Sequence, residues 1–151
     1  MNIKKISAIA FALLMLAACK HSAKDGSGDW LNGDRSSTTG DQRSAVNVVY
    51  FDFDKSLLSD EDNAKIEKQA EMWKASKTKP NLIVEGHCDK IGNAEYNLAL
   101  GNRRAYAAKK ALEKHGVPAD KIETISYGKE RPADMNDDSL NRRAVTIGEK
   151  K

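Results

Sequence analysis

The chain has 151 residues, 40% hydrophobic and 6% aromatic, which allows one compact domain with appendages and is too short for two cores. Lys and Arg outnumber Asp and Glu by 25 to 22, and with this net charge of +3 nothing suggests a nucleic-acid footprint, which would need a clustered basic face. The amino terminus comes first among the expected elements. MNIKKISAIAFALLMLAAC sets Lys4 and Lys5 before an apolar run from Ile6 to Ala18 that contains no acid. This is the pattern of a secretory signal peptide, and the run is shorter than the ~18 apolar residues that would span a bilayer.

The run ends in Leu16, Ala17, Ala18 and Cys19, a small-residue cleavage pattern that resembles a bacterial lipobox. The resemblance implies removal of residues 1–18 and acylation of Cys19, which becomes the first mature residue. Each buried methylene would contribute ~0.8 kcal/mol to membrane anchorage, so several chains hold stably where one holds marginally. Lys20, where an Asp would retain the protein at the inner membrane, implies the outer membrane by the enterobacterial sorting rule. Without Lys4 and Lys5 the mature chain carries a charge of +1. With Cys19 assigned to lipid, Cys88 stands alone and no internal disulfide is expected.

Residues 19–44 are expected to be the lipidated cysteine and a flexible tether, rich in Gly, Ser, Thr, Asp and Lys, with Trp30 and Leu31 as the only large apolar side chains. About 25 such residues have a root-mean-square span of about 25 to 30 Å and a taut reach of roughly 85 Å.

The folded domain is expected over 45–151. AVNVVYFDFD alternates Val46, Val48 and Tyr50 with Asn47, Val49 and Phe51, the pattern of a strand. Ser59 with Asp62 forms a capping-box-like start, and Ile66, Ala70 and Trp73 follow at helical spacing, predicting a helix to about Lys77. NLIVEG reads as a second strand, and a crossover of this length makes the two strands parallel. A loop is expected from Gly86 to Gly92. A second helix follows from about Ala94 to His115, burying Leu98, Gly101, Ala105, Ala108 and Leu112 and ending at Gly116 and Pro118. KIETISYG is a third strand, KERPADMNDDSL a polar loop with a possible helical turn, and RRAVTIG a fourth strand. The order β-α-β-α-β-β predicts an α/β (α+β) two-layer sandwich with a mixed four-stranded sheet.

Asn97, Gly101 and Arg104 share one face of the second helix, and Asp89 precedes it in the loop after the second strand. Asp52 and Asp54 follow the end of the first strand, so these positions converge where ligands of parallel sheets bind. A fixed anion opposite a fixed cation suits a zwitterion, whose ammonium meets Asp89 and whose carboxylate meets Arg104. On these residues alone, closure of Asp89 on Arg104 as a structural ion pair is the commoner arrangement. His87 and Cys88 are strand neighbours pointing to opposite faces, which argues against a catalytic dyad. DFDKSLLSDEDN lacks the Gly and Glu of a calcium loop, so no metal is expected. Asn141 and Arg142, in NRRA, read either as a second cationic contact or as no more than a solvated strand entry.

VYFDFDKSLL, VEGHCDKIGNAEYNLALGNRRA, ISYGKERPA and NRRAV together resemble the OmpA-like peptidoglycan-binding domain family over about a hundred residues from Val46. The resemblance implies a non-enzymatic domain without cofactor that binds the diaminopimelate of the peptidoglycan stem peptide. Asp89 would take its ammonium and Arg104 its carboxylate. Asn97 would contact the stem peptide, Phe51 and Asp52 would line the site mainly through backbone, and Asn141 and Arg142 would close it. The resemblance also implies docking to the Tol system, notably the propeller protein TolB, and a lipid anchor in the outer membrane with the domain in the periplasm. The chain departs from the family at Cys88, usually Thr, at Lys90 and Ile91, usually Glu and Arg, and at Ala108, usually Val.

Overall fold

A computed structural model describes residues 44–149. The expected leader, the lipidation position Cys19 and the tether with Trp30 lie outside the described residues. The elements are β1 (Ser44–Tyr50), α1 (Asp60–Ala75), β2 (Leu82–His87), α2 (Ala94–Lys114), a 3-10 turn (Ala119–Lys121), β3 (Ile122–Gly128), a short α3 (Asp138–Asn141) and β4 (Arg143–Gly148). The four strands form one sheet in the order β1-β4-β2-β3. β4 is antiparallel to both β1 and β2, and β3 is parallel to β2. β1, β2 and β3 therefore run the same way, as the crossover length requires, with β4 inserted between β1 and β2. This is the expected two-layer α/β domain with a mixed four-stranded sheet.

The helices cover one face of the sheet. Val49, Leu82, Val84, Ile122 and Ala144 from the strands meet Ile66, Ala70 and Trp73 of α1 and Ala105, Ala108, Ala111 and Leu112 of α2 in one apolar cluster. Each fully buried large aliphatic side chain there contributes about 1.5–3 kcal/mol. Ser59 caps α1 as its sequence predicts, accepting from the Asp62 amide at 3.1 Å and donating to the Asp62 carboxylate at 2.8 Å. The helix stops at Ala75, two residues short of Lys77. Ser76 turns extended, Lys79 takes φ +43° just ahead of Pro80, and the Trp73 indole donates to the Pro80 carbonyl at 2.8 Å. At the end of α2, Gly116 adopts φ +96°, while the amides of Gly116 and Val117 reach back to the carbonyls of Glu113 and Leu112. These are the two bonds that satisfy an otherwise open helix end.

Two expectations are corrected. β2 continues through Gly86 to His87, because both residues still pair with β3. Leu98 is not buried but 49% exposed, and the stripe passes instead through Asn97, Leu100, Gly101, Arg104, Ala105, Ala108, Ala111 and Leu112. The face that α2 turns inward is thus set with an amide and a guanidinium, which an apolar pattern skips.

The start of α2 lies directly on the sheet. A Cβ on Gly86 would stand 1.9 Å from the Gly101 carbonyl oxygen, and one on Gly101 would stand 2.2 Å from Ser126 Oγ. Glycine at these positions lets the helix and strand backbones approach this closely, and the approach fixes Asn97 and Arg104 against the ends of β2 and β3.

Candidate ligand-binding site

Parallel directions of β1, β2 and β3 bring their carboxyl ends to one edge of the sheet, where β4 and α2 begin. The loops 51–58, 88–93 and 129–137 gather there. Asp89, just past β2, is 5% exposed. One carboxylate oxygen accepts from the Ile91 amide at 3.1 Å, and the other accepts from Arg142 Nη1 at 3.3 Å. Arg142 is itself held by the end of β1, since its Nε donates to the Phe51 carbonyl at 3.2 Å while the Phe51 amide donates to the Arg142 carbonyl at 2.8 Å.

Arg104, in the middle of α2, has no exposed surface. Its Nε donates to the Lys55 carbonyl at 2.9 Å, Nη1 to the His87 carbonyl at 2.8 Å and Nη2 to the Asp52 carbonyl at 3.2 Å. The Phe51 ring lies 5.3 Å from the guanidinium carbon, a distance at which a ring face attracts a cation. Burial pushes the Arg104 pKa below its ordinary value, and the Cys88 and Asp89 side chains oppose that. An arginine stays charged even so. The result is a buried cation hydrogen-bonded to three neutral carbonyls, with two of its five N–H groups beyond those bonds.

The other expected residues divide between the site and its scaffold. Asn97, 1% exposed, donates from its amide to the carbonyls of Ile91 at 2.8 Å and Asn93 at 3.1 Å, which holds the loop 91–93 in shape. The Asp52 carboxylate points to solvent and pairs with Lys55 at 2.9 Å, so Asp52 meets the site through its carbonyl. Asn141, 3% exposed, accepts from the amides of Ala133 and Asp134 and donates to the Asp134 carbonyl. Its side chain organises the loop before β4, whereas Arg142 beside it reaches Asp89.

A hollow of about 170 Å³ opens at this edge, lined by Phe53, Asp54, Asp89, Ile91, Tyr96 and Asn97 among others. Arg104 does not line it. A wider groove of about 550 Å³ on the far side of the loop 51–58 is lined by Phe51, Asp52, Lys55, Leu57, Leu140 and Arg142 among others. Asp89 and Arg104 therefore neither close on each other nor stand open to a guest together. Asp89 is held by Arg142, and Arg104 is covered by backbone from the loop 52–55. Phe53, Ile91 and Tyr96 line the hollow and are not picked out by periodicity. Each is exposed, at 56%, 52% and 44%, and lies in or beside a loop, where apolar spacing carries no signal. His87 and Cys88 are both buried and diverge. The His87 ring packs 5.5 Å from Tyr127, and Cys88 Sγ donates to the Asn97 carbonyl at 3.3 Å. Burial pushes the Cys88 thiol pKa up, against the pull of Arg104, so the thiolate that a nucleophile needs is disfavoured.

Chemically this arrangement suits recognition: two opposite charges, each already desolvated and each held by a partner that a guest of matching charge can replace. The fold thus defines a two-layer α/β domain with a mixed four-stranded sheet. A family model described as the OmpA family matches residues 50–146, and the chain belongs to that family. It is 40% identical over 144 residues to the peptidoglycan-associated lipoprotein of Rhizobium meliloti, an alignment covering 89% of this chain and 81% of that one. It is also 40% identical over 148 residues to the protein of that name in Pasteurella multocida, covering 95% and 97%. The crystal structure of the peptidoglycan-associated lipoprotein from Burkholderia pseudomallei superposes with a TM-score of 0.63 at 36% identity, covering 68% of this chain and 89% of that one.

Proposed function

We propose that this domain grips peptidoglycan through the zwitterionic end of the stem-peptide diaminopimelate, and that the chain tethers the outer membrane to the wall without catalysing a reaction. The observation that carries the reading is the pair of buried opposite charges, Asp89 and Arg104, each held by a replaceable partner. The diaminopimelate ammonium takes Asp89 from Arg142, and its carboxylate takes Arg104 from the carbonyls of Asp52 and Lys55. Arg142, Phe51 and Asn97 keep the surrounding loops in register. The relatives named above are, by name, both lipoproteins and peptidoglycan-associated, which supports the same reading.

Two further parts belong to the proposal. Cys19 carries lipid in the outer membrane with the domain in the periplasm, so that two anchors on one chain act with avidity. Tol-type proteins, TolB among them, dock on a surface that overlaps the site.

The test is calorimetric titration of the full chain with a diaminopimelate-containing stem tripeptide, read beside a cleavage assay. Saturable binding without cleavage is expected, with Asp89→Ala or Arg104→Ala weakening it by about 2 to 5 kcal/mol because each strands a charged partner. A folded Arg104→Ala protein with unchanged affinity moves the site elsewhere. For the anchor, Cys19→Ser is expected to release the protein into the soluble fraction. Wild-type protein that stays with membranes while carrying no acyl mass refutes the lipid.

A further inference from the structure

Arg104 is covered by a turn, and the turn is held from outside. Two of the three carbonyls on the guanidinium, those of Asp52 and Lys55, belong to the segment 52–55, whose ends are joined by the Lys55 amide donating to the Asp52 carbonyl at 3.2 Å. Within this turn Asp54 has φ +58°, in the left-handed region that Asp tolerates better than most side chains. The Asp54 carboxylate accepts a hydrogen bond from the Tyr96 hydroxyl, which arrives from the first turn of α2 across the mouth of the hollow that both residues line. The Tyr96 ring is steadied in turn by the Arg103 guanidinium, 5.9 Å from its centroid.

We infer that Tyr96 and Asp54 form a latch that keeps residues 52–55 closed over Arg104 and thereby sets how readily a carboxylate reaches it. The inference rests on the binding reading above and adds a regulating element to the same site. Tyr96 is a positioning residue: it acts on the guanidinium through Asp54 and the turn. Arg104 is fully buried, so a guest carboxylate reaches it only when the turn that carries the Asp52 and Lys55 carbonyls moves aside, and the closed turn competes with the ligand. The apparent affinity is the intrinsic affinity reduced by the fraction of molecules in which the turn is open. Breaking the latch therefore strengthens binding, the opposite of what losing a ligand contact does.

The experiment uses the full chain with Tyr96→Phe, Asp54→Ala, the two combined, and Arg104→Ala. Each is titrated with the diaminopimelate-containing tripeptide, and exchange of the Lys55 amide is followed without ligand. Tyr96→Phe and Asp54→Ala are each expected to bind about three- to tenfold more tightly and to exchange the Lys55 amide faster by a similar factor. Because both remove one shared bond, the double variant gains no more than the stronger single one. Equal or weaker binding by Tyr96→Phe, with binding lost in Arg104→Ala, overturns the latch and leaves the site standing. If wild type and Arg104→Ala alike fail to bind, the site reading falls, and the latch is then decided by Lys55 exchange: faster in Tyr96→Phe supports it, unchanged overturns it.

Discussion

The slab between the helices and the sheet and the edge where the strands end are equally buried and differently built. In the slab Ile66, Leu82, Val84 and Leu112 exclude water through apolar contact that has no preferred direction. At the edge Asp89, Asn97, Arg104 and Asn141 are as deeply buried, and each is oriented by hydrogen bonds, most of them to backbone groups of the neighbouring loops. The slab accounts for the fold's persistence and the edge for its geometry. Contacts of the first kind can relax when one is lost, whereas a buried charge without its partner leaves a full desolvation cost behind. The sharpest break of this contrast is Leu112→Ala, expected to cost about 2–5 kcal/mol of stability. Its folded fraction should bind the stem tripeptide like wild type. Denaturant unfolding and titration of the same preparation check it, and a parallel loss of affinity would mean that the slab also tunes the edge.

A smaller effect compares like with like, since each long helix begins with a capping side chain. Ser59 accepts from the Asp62 amide at 3.1 Å, and Asn93 accepts from the Tyr96 amide at 2.7 Å. Replacing either by Ala is expected to cost about 1 kcal/mol of stability, as cap removal usually does. Only Asn93→Ala should also change tripeptide affinity, because its side chain caps the turn of α2 from which Tyr96 and Asn97 line the hollow. Thermal melts should show similar losses, with the titrations separating the two variants.

The slab was largely legible before any coordinates, and the edge only in part. Ser59 with Asp62, the 66/70/73 spacing and the Gly116 stop report local physics, so the helices and their ends follow from neighbouring residues alone. The strand order does not, because β4 enters between β1 and β2 through pairings such as Ser44 with Gly148 and Leu82 with Gly148, far apart in the chain. Asp89, Asn97 and Arg104 stand out as polar residues at helical and strand-end spacing. That Arg142 partners Asp89, and that backbone of the loop 52–55 covers Arg104, depends on carbonyls, which every residue has and no sequence pattern marks. Leu98 fails for the related reason that its inward neighbours on α2 are polar.

The smallest expected effect concerns His87, which meets the edge through its carbonyl and turns its ring away from the slab. Its carbonyl accepts from Arg104 at the edge, while its ring, 2% exposed, lies on the opposite side of β2 beside Tyr127, with Glu85 Oε2 3.7 Å from Nε2. Burial holds the His87 pKa below its ordinary 6.5, Glu85 pulls it partly back, and the charges of Arg143 and Arg131 push it further down. The unfolded chain therefore takes up a proton near pH 6.5 that the folded chain refuses. Above that pH the group makes no difference; below it, stability falls until the folded-state pKa is reached, at a rate approaching ~1.4 kcal/mol per pH unit. Denaturant unfolding at pH 7.5 and pH 5.5 should show a smaller acid loss in His87→Gln than in wild type. Parallel losses would mean that other groups carry the acid sensitivity and that the ring is protonated in the fold at little cost. Tripeptide affinity at pH 7.5 should be the same in both, since the variant keeps the carbonyl that Arg104 holds and changes only the side chain on the far face.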